Sequence, residues 1–305
     1  MRLSAWPASK PVTGGTTVPA MRRLPNPRQV LAGLATLALL APAAGAGEPP
    51  RVELVACAPG NPGTTAEAQP SMTALAAALA RAASWPADRV GASYLPTAKE
   101  GLARLGAPPL AVALVPLPFL LEHGAALRLT PRLVVEQKGL GATESWTLVA
   151  RKGRVARPAD LASFTVVSIA GYAPGFVRGV LGPAWRLPAG IRVVESAQLL
   201  SALRKVVKGD DVAVLLDGAQ AAALPGLPFA ADLDVVARSA PLPVALVVTV
   251  GTGLAAPRWA ELEKGLLALK GSPDGAAALD AVRMVGFAPV DPKAIEAARR
   301  LAGPR

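Results

Sequence analysis

Short apolar runs alternate with segments of helical periodicity from residue 51 onward, a pattern typical of layered α/β proteins. RVELVACA, residues 51–58, predicts a first strand, DRVGASYL a second, and PLAVALVPL a third that is too apolar to alternate. The polar segment PGNPGTTAEAQP predicts a loop, after which Ser71 is expected to cap an amphipathic helix. Thr97, followed three residues later by Glu100, predicts the start of a helix that reaches Leu105.

A second block repeats this order of elements. FTVVSIAGYAPGF predicts a strand, a glycine turn and a helix start, and IRVVES predicts another strand. Ser196 is expected to cap a helix that Gly209 ends, just before the apolar strand Val212–Leu216. LDVVARS and PVALVVTV predict further strands, and the tail predicts helices that begin near Pro257, Pro273 and Pro292.

The two blocks resemble each other at one particular unit. RLGAPPLAVALVPLPFL in the first and VVKGDDVAVLLDGAQ in the second each place a glycine after a helix, enter an apolar strand and leave it on a turn. The second turn is Asp217-Gly218. The repetition, in a chain of 305 residues that is long enough for two lobes, predicts that the second block belongs to a second α/β lobe.

The N-terminal 46 residues have the features of a secretion signal and its leader. A basic region that includes Arg22 and Arg23 precedes an apolar stretch, Val30 to Leu40, which ends in small residues and predicts cleavage after Ala46. Translation starts at Met1 or Met21, because the first 20 residues are unusual ahead of such a basic region. A retained membrane anchor is the alternative, although the apolar stretch is short for a span of about 20 residues.

Composition excludes several classes of function. The formal net charge of +11 falls to +6 once residues 1–46 are set aside, and no basic run with interleaved aromatic residues stands out, which argues against a nucleic-acid partner. The single cysteine, Cys57, excludes an intramolecular disulfide and is expected in a buried strand. The single histidine, His123, is expected at a helix end, so we predict no metal, no cofactor and no catalytic residue.

The sequence resembles the solute-binding proteins of ABC importers, in particular the phosphate/phosphonate-type branch of the type 2 periplasmic-binding-protein fold. The resemblance covers roughly residues 51–300 and rests on the order and spacing of three segments. These are ALRKVVKGDDVAVLLDGAQ, VVARSAPLPVALVVTVGTGL and GFAPVDPKAIEAA.

The resemblance implies an α/β protein of two lobes, each a mixed sheet flanked by helices, joined by two crossing segments. Residues 51–147 plus 245–305 would form lobe one and residues 148–244 lobe two, with crossings at Trp146 to Arg151 and Pro241 to Val247. It also implies a monomeric, periplasmic or secreted protein that is not an enzyme. Such a protein closes around a small-molecule solute, which can be anionic, and delivers it to an ABC permease in the inner membrane.

Ligand is expected where strand ends and helix starts converge between the lobes. The turns after the predicted strands supply the candidate ligand-binding residues: Thr64, Thr65, Tyr94, Thr97, Ser168, Gly171, Tyr172 and Asp217. Several have an alternative structural explanation, because Thr97 also fits a helix cap, Gly171 a tight backbone approach and Asp217 a turn.

One departure from the resembled family leaves the ligand open. Phosphonate-type members typically carry a cluster of hydroxyl residues where this chain has IAGYAPGF, residues 169–176, so only Ser168 and Tyr172 are nearby to hold an oxyanion. A small organic acid, a less polar metabolite or no transported ligand remain possible. The alternatives are therefore a ligand-free interaction or sensory module of the envelope, and an enzyme on the same fold.

Overall fold

The computed structural model describes residues 51–61, 63–107 and 110–303, so the predicted secretion signal lies outside the described residues. The strands are β1 Val52–Cys57, β2 Val90–Leu95, β3 Val112–Pro116, β4 Leu129–Gln137, β5 Thr143–Glu144, β6 Thr147–Arg151, β7 Thr165–Ser168, β8 Arg192–Glu195, β9 Val212–Leu216, β10 Leu233–Arg238, β11 Leu242–Pro243, β12 Ala245–Val250 and β13 Met284–Pro289.

The α-helices are α1 Thr65–Ala82, α2 Ala98–Leu105, α3 Leu117–His123, α4 Pro174–Gly179, α5 Leu199–Lys208, α6 Gly218–Ala223, α7 Ala256–Ala268, α8 Pro273–Ala281 and α9 Pro292–Ala302. Within residues 51–61, 63–107 and 110–303, none of these helices combines the length and apolarity that a membrane crossing requires.

The first sheet, as far as the structure describes it, has six strands in the order β13-β4-β12-β3-β1-β2. β2, β1 and β3 run parallel, whereas β12 and β13 add antiparallel pairings. The apolar faces of α1 and α7 pack into the same core as these strands, through residues such as Leu79 and Leu266. Strands from both ends of the chain therefore share one sheet.

The second sheet repeats this arrangement with five strands among the described residues, in the order β10-β6-β9-β7-β8. β8, β7 and β9 are parallel, as β2, β1 and β3 are in the first sheet, and β6 is antiparallel to β9. The two units that the sequence identifies as similar, β3 and β9, thus occupy equivalent places. β3 is parallel to its neighbour β1, and β9 is parallel to its neighbour β7. The predicted α/β fold of two mixed sheets with helices is confirmed.

Two connecting segments run between the sheets and are hydrogen-bonded to each other. β5 and β11 pair antiparallel, with Leu242 opposite Glu144 and Pro243 opposite Thr143. Ser239 extends this contact, because its N–H donates to the Trp146 carbonyl oxygen and its Oγ accepts from the Trp146 N–H at 2.9 Å. β5 lies before the predicted crossing Trp146 to Arg151, most of which is β6 of the second sheet. β11 lies within the predicted crossing Pro241 to Val247, whose last residues already belong to β12 of the first sheet.

The first helix begins earlier than the sequence predicted. α1 starts at Thr65 within the segment expected to be a loop, and Ser71 lies inside it. Thr64 is the N-cap: its Oγ1 accepts from the Glu67 N–H, and Glu67 in turn accepts from the Thr64 N–H at 2.8 Å. This reciprocal capping box marks the start of α1 ahead of Pro70, which lies inside the helix and removes one backbone donor.

Of three other local predictions, one differs from the structure and two match it. Ser196 does not cap α5, whose N-cap is Gln198. The Ser196 Oγ instead accepts from the Gln198 N–H in a local turn. Thr97 caps α2 as predicted, and Gly209 ends α5 with a left-handed φ of 98°. β4 and β13 had no prediction, because their mixed patterns alternate poorly.

The last helix, α9, packs on the second-sheet side of the molecule. A Cβ added at Gly179 of α4 would overlap the carbonyl oxygen of Leu301, and Arg186 donates to the same oxygen at 3.3 Å. Ile295 and Ala298 of α9 belong to the core that also contains Phe176 of α4. The helix α9 therefore packs on α4, the helix that follows β7.

We predict that Gly179→Ala lowers the free energy of unfolding by about 1–3 kcal/mol, because the added methyl group forces α4 and α9 apart. Gly190→Ala is the control, since nothing lies within 4 Å of a Cβ at that position, and it should change stability by less than about 0.5 kcal/mol. Urea unfolding of both variants measures this. Equal effects would contradict the packing of α9 on α4.

Candidate functional site

A cavity of about 480 Å³ lies at the carboxyl ends of the parallel strands of both sheets. From the first sheet it is lined by residues around the ends of β1, β2 and β3, among them Cys57, Tyr94 and Pro116. From the second it is lined by Tyr172, after β7, and Asp217, after β9. Its size is within the usual range for small-molecule sites, and open α/β sheets bind ligands at this edge.

The structure brings some of the predicted site residues to this cavity and leaves others away from it. Tyr94, Tyr172 and Asp217 are among its lining residues. The other five are absent from the lining: Thr64, Thr65, Thr97, Ser168 and Gly171. Whether any of the eight contacts a ligand stays a prediction.

Each residue outside the lining has a structural role or an exposed position. Thr64 and Thr97 cap α1 and α2, and Thr65 is the first, exposed residue of α1. The Ser168 hydroxyl is buried and donates to the Leu215 carbonyl oxygen at 2.9 Å. Gly171 lies where a Cβ would overlap the backbone of β8 at Glu195, so only glycine fits there.

Glu144, which sequence reasoning missed, is the most unusual lining residue. It lies on β5 in a connecting segment and is only 8% exposed. Its Oε2 accepts a hydrogen bond from the Gly218 N–H at 2.8 Å. Burial, reinforced by the nearby Asp217 charge and opposed by the Gly218 hydrogen bond, raises the pKa of Glu144 to about 8.

Asp217 is the second carboxyl group at this place. It is the N-cap of α6 and accepts from the Gln220 N–H at 2.7 Å, while Gln220 accepts from the Asp217 N–H. Burial raises its pKa, and its hydrogen bonds to the start of α6 oppose that rise. The glycine of the Asp-Gly turn allows the two carboxyl groups to lie close together. A Cβ added at Gly218 would lie only 2.8 Å from the Glu144 Cβ and would push that side chain away.

Trp146 follows Glu144 and also lines the cavity. Its side chain is 2% exposed and meets the Phe176 ring edge-on, with ring centroids 5.0 Å apart. The indole Nε1 has no hydrogen-bond partner within the described part of the chain. Buried donors are rarely left unpaired, so this N–H is a candidate ligand contact.

An aromatic cluster adjoins the cavity at Tyr172, which is one of the lining residues. Tyr172 stacks on His123 at a centroid distance of 6.4 Å and lies 6.3 Å from the Phe119 ring, joining α3 to the turn after β7. Burial raises the pKa of Tyr172 well above its ordinary range. Across the cavity, burial also raises the pKa of Tyr94, so both phenols stay neutral near pH 7.

Chemistry that needs a thiolate or a metal has no support among the described residues. Cys57 is buried against α2, and burial raises the pKa of its thiol to about 12, which keeps it protonated. No group of three or more His, Cys, Asp and Glu residues in the described ranges could hold a metal ion.

Comparison with known proteins identifies the fold. No family model and no curated protein matches the sequence. Among solved structures, XAC2383 from Xanthomonas citri bound to ATP is similar with a TM-score of 0.62 and 18% identity, over 82% of this chain and 96% of that chain. A binding-protein component of an ABC phosphonate transporter from Pseudomonas aeruginosa has a TM-score of 0.60 and 12% identity, over 83% and 86%.

PhnD1 from Prochlorococcus marinus, solved with methylphosphonate, is also similar, with a TM-score of 0.52 and 13% identity over 83% of this chain and 97% of that chain. At these identities the likeness concerns the fold alone. The chain therefore has the two-lobe α/β fold of type 2 periplasmic binding proteins, which confirms the resemblance found in the sequence at the level of the fold.

We predict that Glu144→Gln removes a pH dependence of stability. The folded-state pKa of about 8 lies above the ordinary value of 4.5, so the stability that protonated Glu144 contributes is complete below about pH 4.5 and is lost as pH rises through about 8. Relative to the native chain, the variant should gain about 2–4 kcal/mol between about pH 5 and pH 9.

Urea unfolding at several pH values measures this difference. The glutamine oxygen still accepts from Gly218, and the other titratable groups facing this position, Asp217 and Tyr172, are unchanged. Glu296→Gln, on the exposed face of α9, is the control and should follow the native pH profile. A pH-independent difference for Glu144→Gln would show that its carboxyl group is not buried as described.

Proposed function

We propose that this chain is an extracytoplasmic solute-binding protein, which takes a small molecule between its lobes and delivers it to an ABC permease. The observation that carries the proposal is the cavity of about 480 Å³ lined by strand ends of both sheets. The fold supports it, since the similar solved structures include an ABC phosphonate-transporter component and PhnD1 with methylphosphonate.

The connectors give this function a mechanical basis. β5 and β11 pair over only two residues, so small changes of backbone angle in the segments on either side can rotate one sheet against the other. The strands that follow, β6 and β12, are each held in a sheet and move with it. We therefore place the hinge at the connectors, and propose 51–147 plus 245–305 and 148–244 as the approximate lobes, with α9 at the end of the chain crossing over to pack on α4 of the second lobe.

Contacts across the cavity support a closed state. Ile169, after β7, lies so close to Gly60, after β1, that a Cβ on the glycine would meet the Ile169 Cβ at 2.7 Å. The Phe119 ring of α3 also lies near the Tyr172 ring, with ring centroids 6.3 Å apart. Opening at the hinge would separate these pairs and admit solute, and the closed form would be the one that a permease recognises.

The remaining parts of the proposal concern location and assembly. A secretion signal in residues 1–46, cleaved after Ala46, would deliver the protein to the periplasm or the exterior. The mature chain would act as a monomer and would carry out no catalysis, in keeping with a neutral Cys57 thiol and with His123 at a helix end.

A ligand-free envelope module is the second candidate. Two features favour it: the lobes are already packed together at Gly60 and Ile169, and the N-termini of α1 and α6 are capped by the chain's own side chains. Such a module would keep the closed contacts as permanent packing and would neither open nor exchange solute.

We predict that a bulky side chain in the cavity wall abolishes solute binding without unfolding the protein. Ala68→Trp changes a residue of α1 that lines the cavity, whereas Ala66→Trp changes an exposed residue of the same helix that does not. Native mass spectrometry of protein purified without refolding should find a carried-over small molecule in the native chain and in Ala66→Trp, and none in Ala68→Trp.

A thermal-shift screen of metabolites gives a second readout, since bound ligand raises the melting temperature. The native chain and Ala66→Trp should share stabilising compounds that leave Ala68→Trp unchanged. If no compound is carried over and none stabilises the native chain, the ligand-free module replaces the solute-binding proposal. Turnover of a bound compound would instead identify an enzyme.

A further inference from the structure

We propose that the cavity takes a compact organic cation, namely a protonated amine on an apolar body with one oxygen acceptor, and that Glu144 and Asp217 bind the ammonium group. The inference deepens the proposed solute-binding role and rests on it. It assigns the opposite charge to the ligand from the one that the sequence resemblance suggested.

The charges that line the cavity favour a cation. Its lining contains three carboxyl groups, Glu67, Glu144 and Asp217, and a single basic residue, Arg283. Glu67 and Arg283 are exposed, so the two acidic residues set deeper in the wall dominate the interior. An anionic ligand would favour the protonated form of both groups, because like charges in a partly desolvated site repel strongly, whereas a cation would stabilise their ionised forms.

Glu144 and Asp217 also lack a cationic partner within the described part of the chain. The interactions that act on Glu144 are burial, the Gly218 N–H and the Asp217 charge, and those on Asp217 are burial and N–H groups of α6. A buried carboxylate without a counter-charge is costly, so each stays protonated or meets a cation from outside. The ligand's ammonium group would supply that counter-charge.

One carboxyl oxygen of Glu144 is available to accept a hydrogen bond from a ligand. Its Oε2 accepts from Gly218, whereas Oε1 accepts no hydrogen bond from the described residues. An ammonium group has three N–H donors and can bridge this oxygen and the Asp217 carboxyl group. Because Glu144 belongs to a connector and Asp217 to the turn after β9, one ammonium group would join the hinge to the second sheet.

Trp146 provides an independent sign of a missing ligand atom. Its indole Nε1 is a buried donor that has no acceptor in the described ranges, and the residue lines the cavity. A buried donor left unpaired is destabilising, and an oxygen of the ligand that accepted from it would remove this cost. The carboxyl groups and the unpaired N–H thus match a small molecule that carries both an amine and an oxygen acceptor.

The helix starts at the cavity do not offer an anion site. At α1 the Glu67 N–H donates to the Thr64 hydroxyl, and at α6 the Gly218 and Gln220 N–H groups donate to Glu144 and Asp217. The chain's own hydroxyl and carboxyl side chains therefore accept hydrogen bonds where a helix start would bind a phosphate or phosphonate group. A protein of this fold can therefore bind a cationic ligand in place of an anionic one, because its helix starts are already occupied by its own side chains.

Two matched series of compounds test the charge. Tyramine, tyrosol and hydroxyphenylacetate share one skeleton and carry an ammonium, a hydroxyl and a carboxylate group, as do isoamylamine, isoamyl alcohol and isovalerate. By isothermal titration calorimetry near pH 7, at least one amine should bind ten-fold or more tightly than the alcohol and the carboxylate of its series. Equal or tighter binding of the carboxylates, or binding of neither amine, would overturn the inference.

Variants test the named groups. Glu144→Gln and Asp217→Asn should each weaken amine binding ten-fold or more and change binding of the alcohols less than two-fold, because both keep their backbone hydrogen bonds. Trp146→Phe should weaken tyramine more than isoamylamine, which lacks an oxygen. Glu296→Gln is the matched control and should bind the amines as the native chain does.

The number of protons released on amine binding distinguishes a direct contact with Glu144 from a purely structural role of that residue. Near pH 7 Glu144 is mostly protonated, so an ammonium group that binds its carboxylate must displace about one proton. Titrations in buffers of different ionisation enthalpy should detect this release in the native chain and not in Glu144→Gln. Binding of an amine without proton release would contradict the role of Glu144.

Failure of this inference can be told apart from failure of the solute-binding role. If the native chain carries over, or binds, a neutral or anionic compound that Ala68→Trp excludes, the cavity is a solute site and the cation assignment is wrong. If the native chain binds no compound of any charge, both proposals fail together.

Discussion

The buried carboxyl group of Glu144 is the constraint on which the site depends. It sits on a connector between the sheets, accepts a hydrogen bond from the Gly218 N–H and lies beside Asp217. Glu144 therefore links a connector, the turn after β9 and the cavity at one point. The Asp217-Gly218 turn has this sequence because the aspartate caps α6 and the glycine makes room for Glu144.

The buried carboxyl group also couples protonation, ligand charge and lobe position. While it is protonated, Glu144 is a neutral group that rests against the start of α6. Once a cation lies beside it, the carboxylate form is stabilised and the connector, the turn after β9 and the ligand attract one another. Under the proposed function, a solute that carries its own positive charge would favour the closed arrangement of the two sheets.

Much of the fold could be predicted from local pattern. The sequence indicates that the apolar strands after Gly106 and Gly209 are similar units. In the structure they hold equivalent positions, parallel to β1 and to β7. The start of α1 could not be found, because Pro70 and the glycines before Thr64 indicate a loop and their signal outweighed the Thr64–Glu67 capping box. β4 and β13 depend on long-range pairing that an irregular pattern does not reveal.

The candidate site was predictable only in part. The rule that ligands lie at strand ends led to Tyr94, Tyr172 and Asp217, which line the cavity. Hydroxyl residues such as Thr64 and Thr97 were selected by the same rule, but their side chains cap helices. Glu144 and Trp146 could not be selected, since they lie in a connector and reach the cavity only because β5 and β11 pair across about 100 residues of sequence.

A crystal structure of the mature chain, purified at neutral pH without refolding, tests the central claim most directly. The account predicts electron density for a small molecule between the two sheets, with an amine nitrogen within hydrogen-bonding distance of Glu144 and Asp217 and an oxygen near the Trp146 Nε1. An anionic group bound at the start of α1 or α6, or an empty cavity with Glu144 turned away from Gly218, would contradict it.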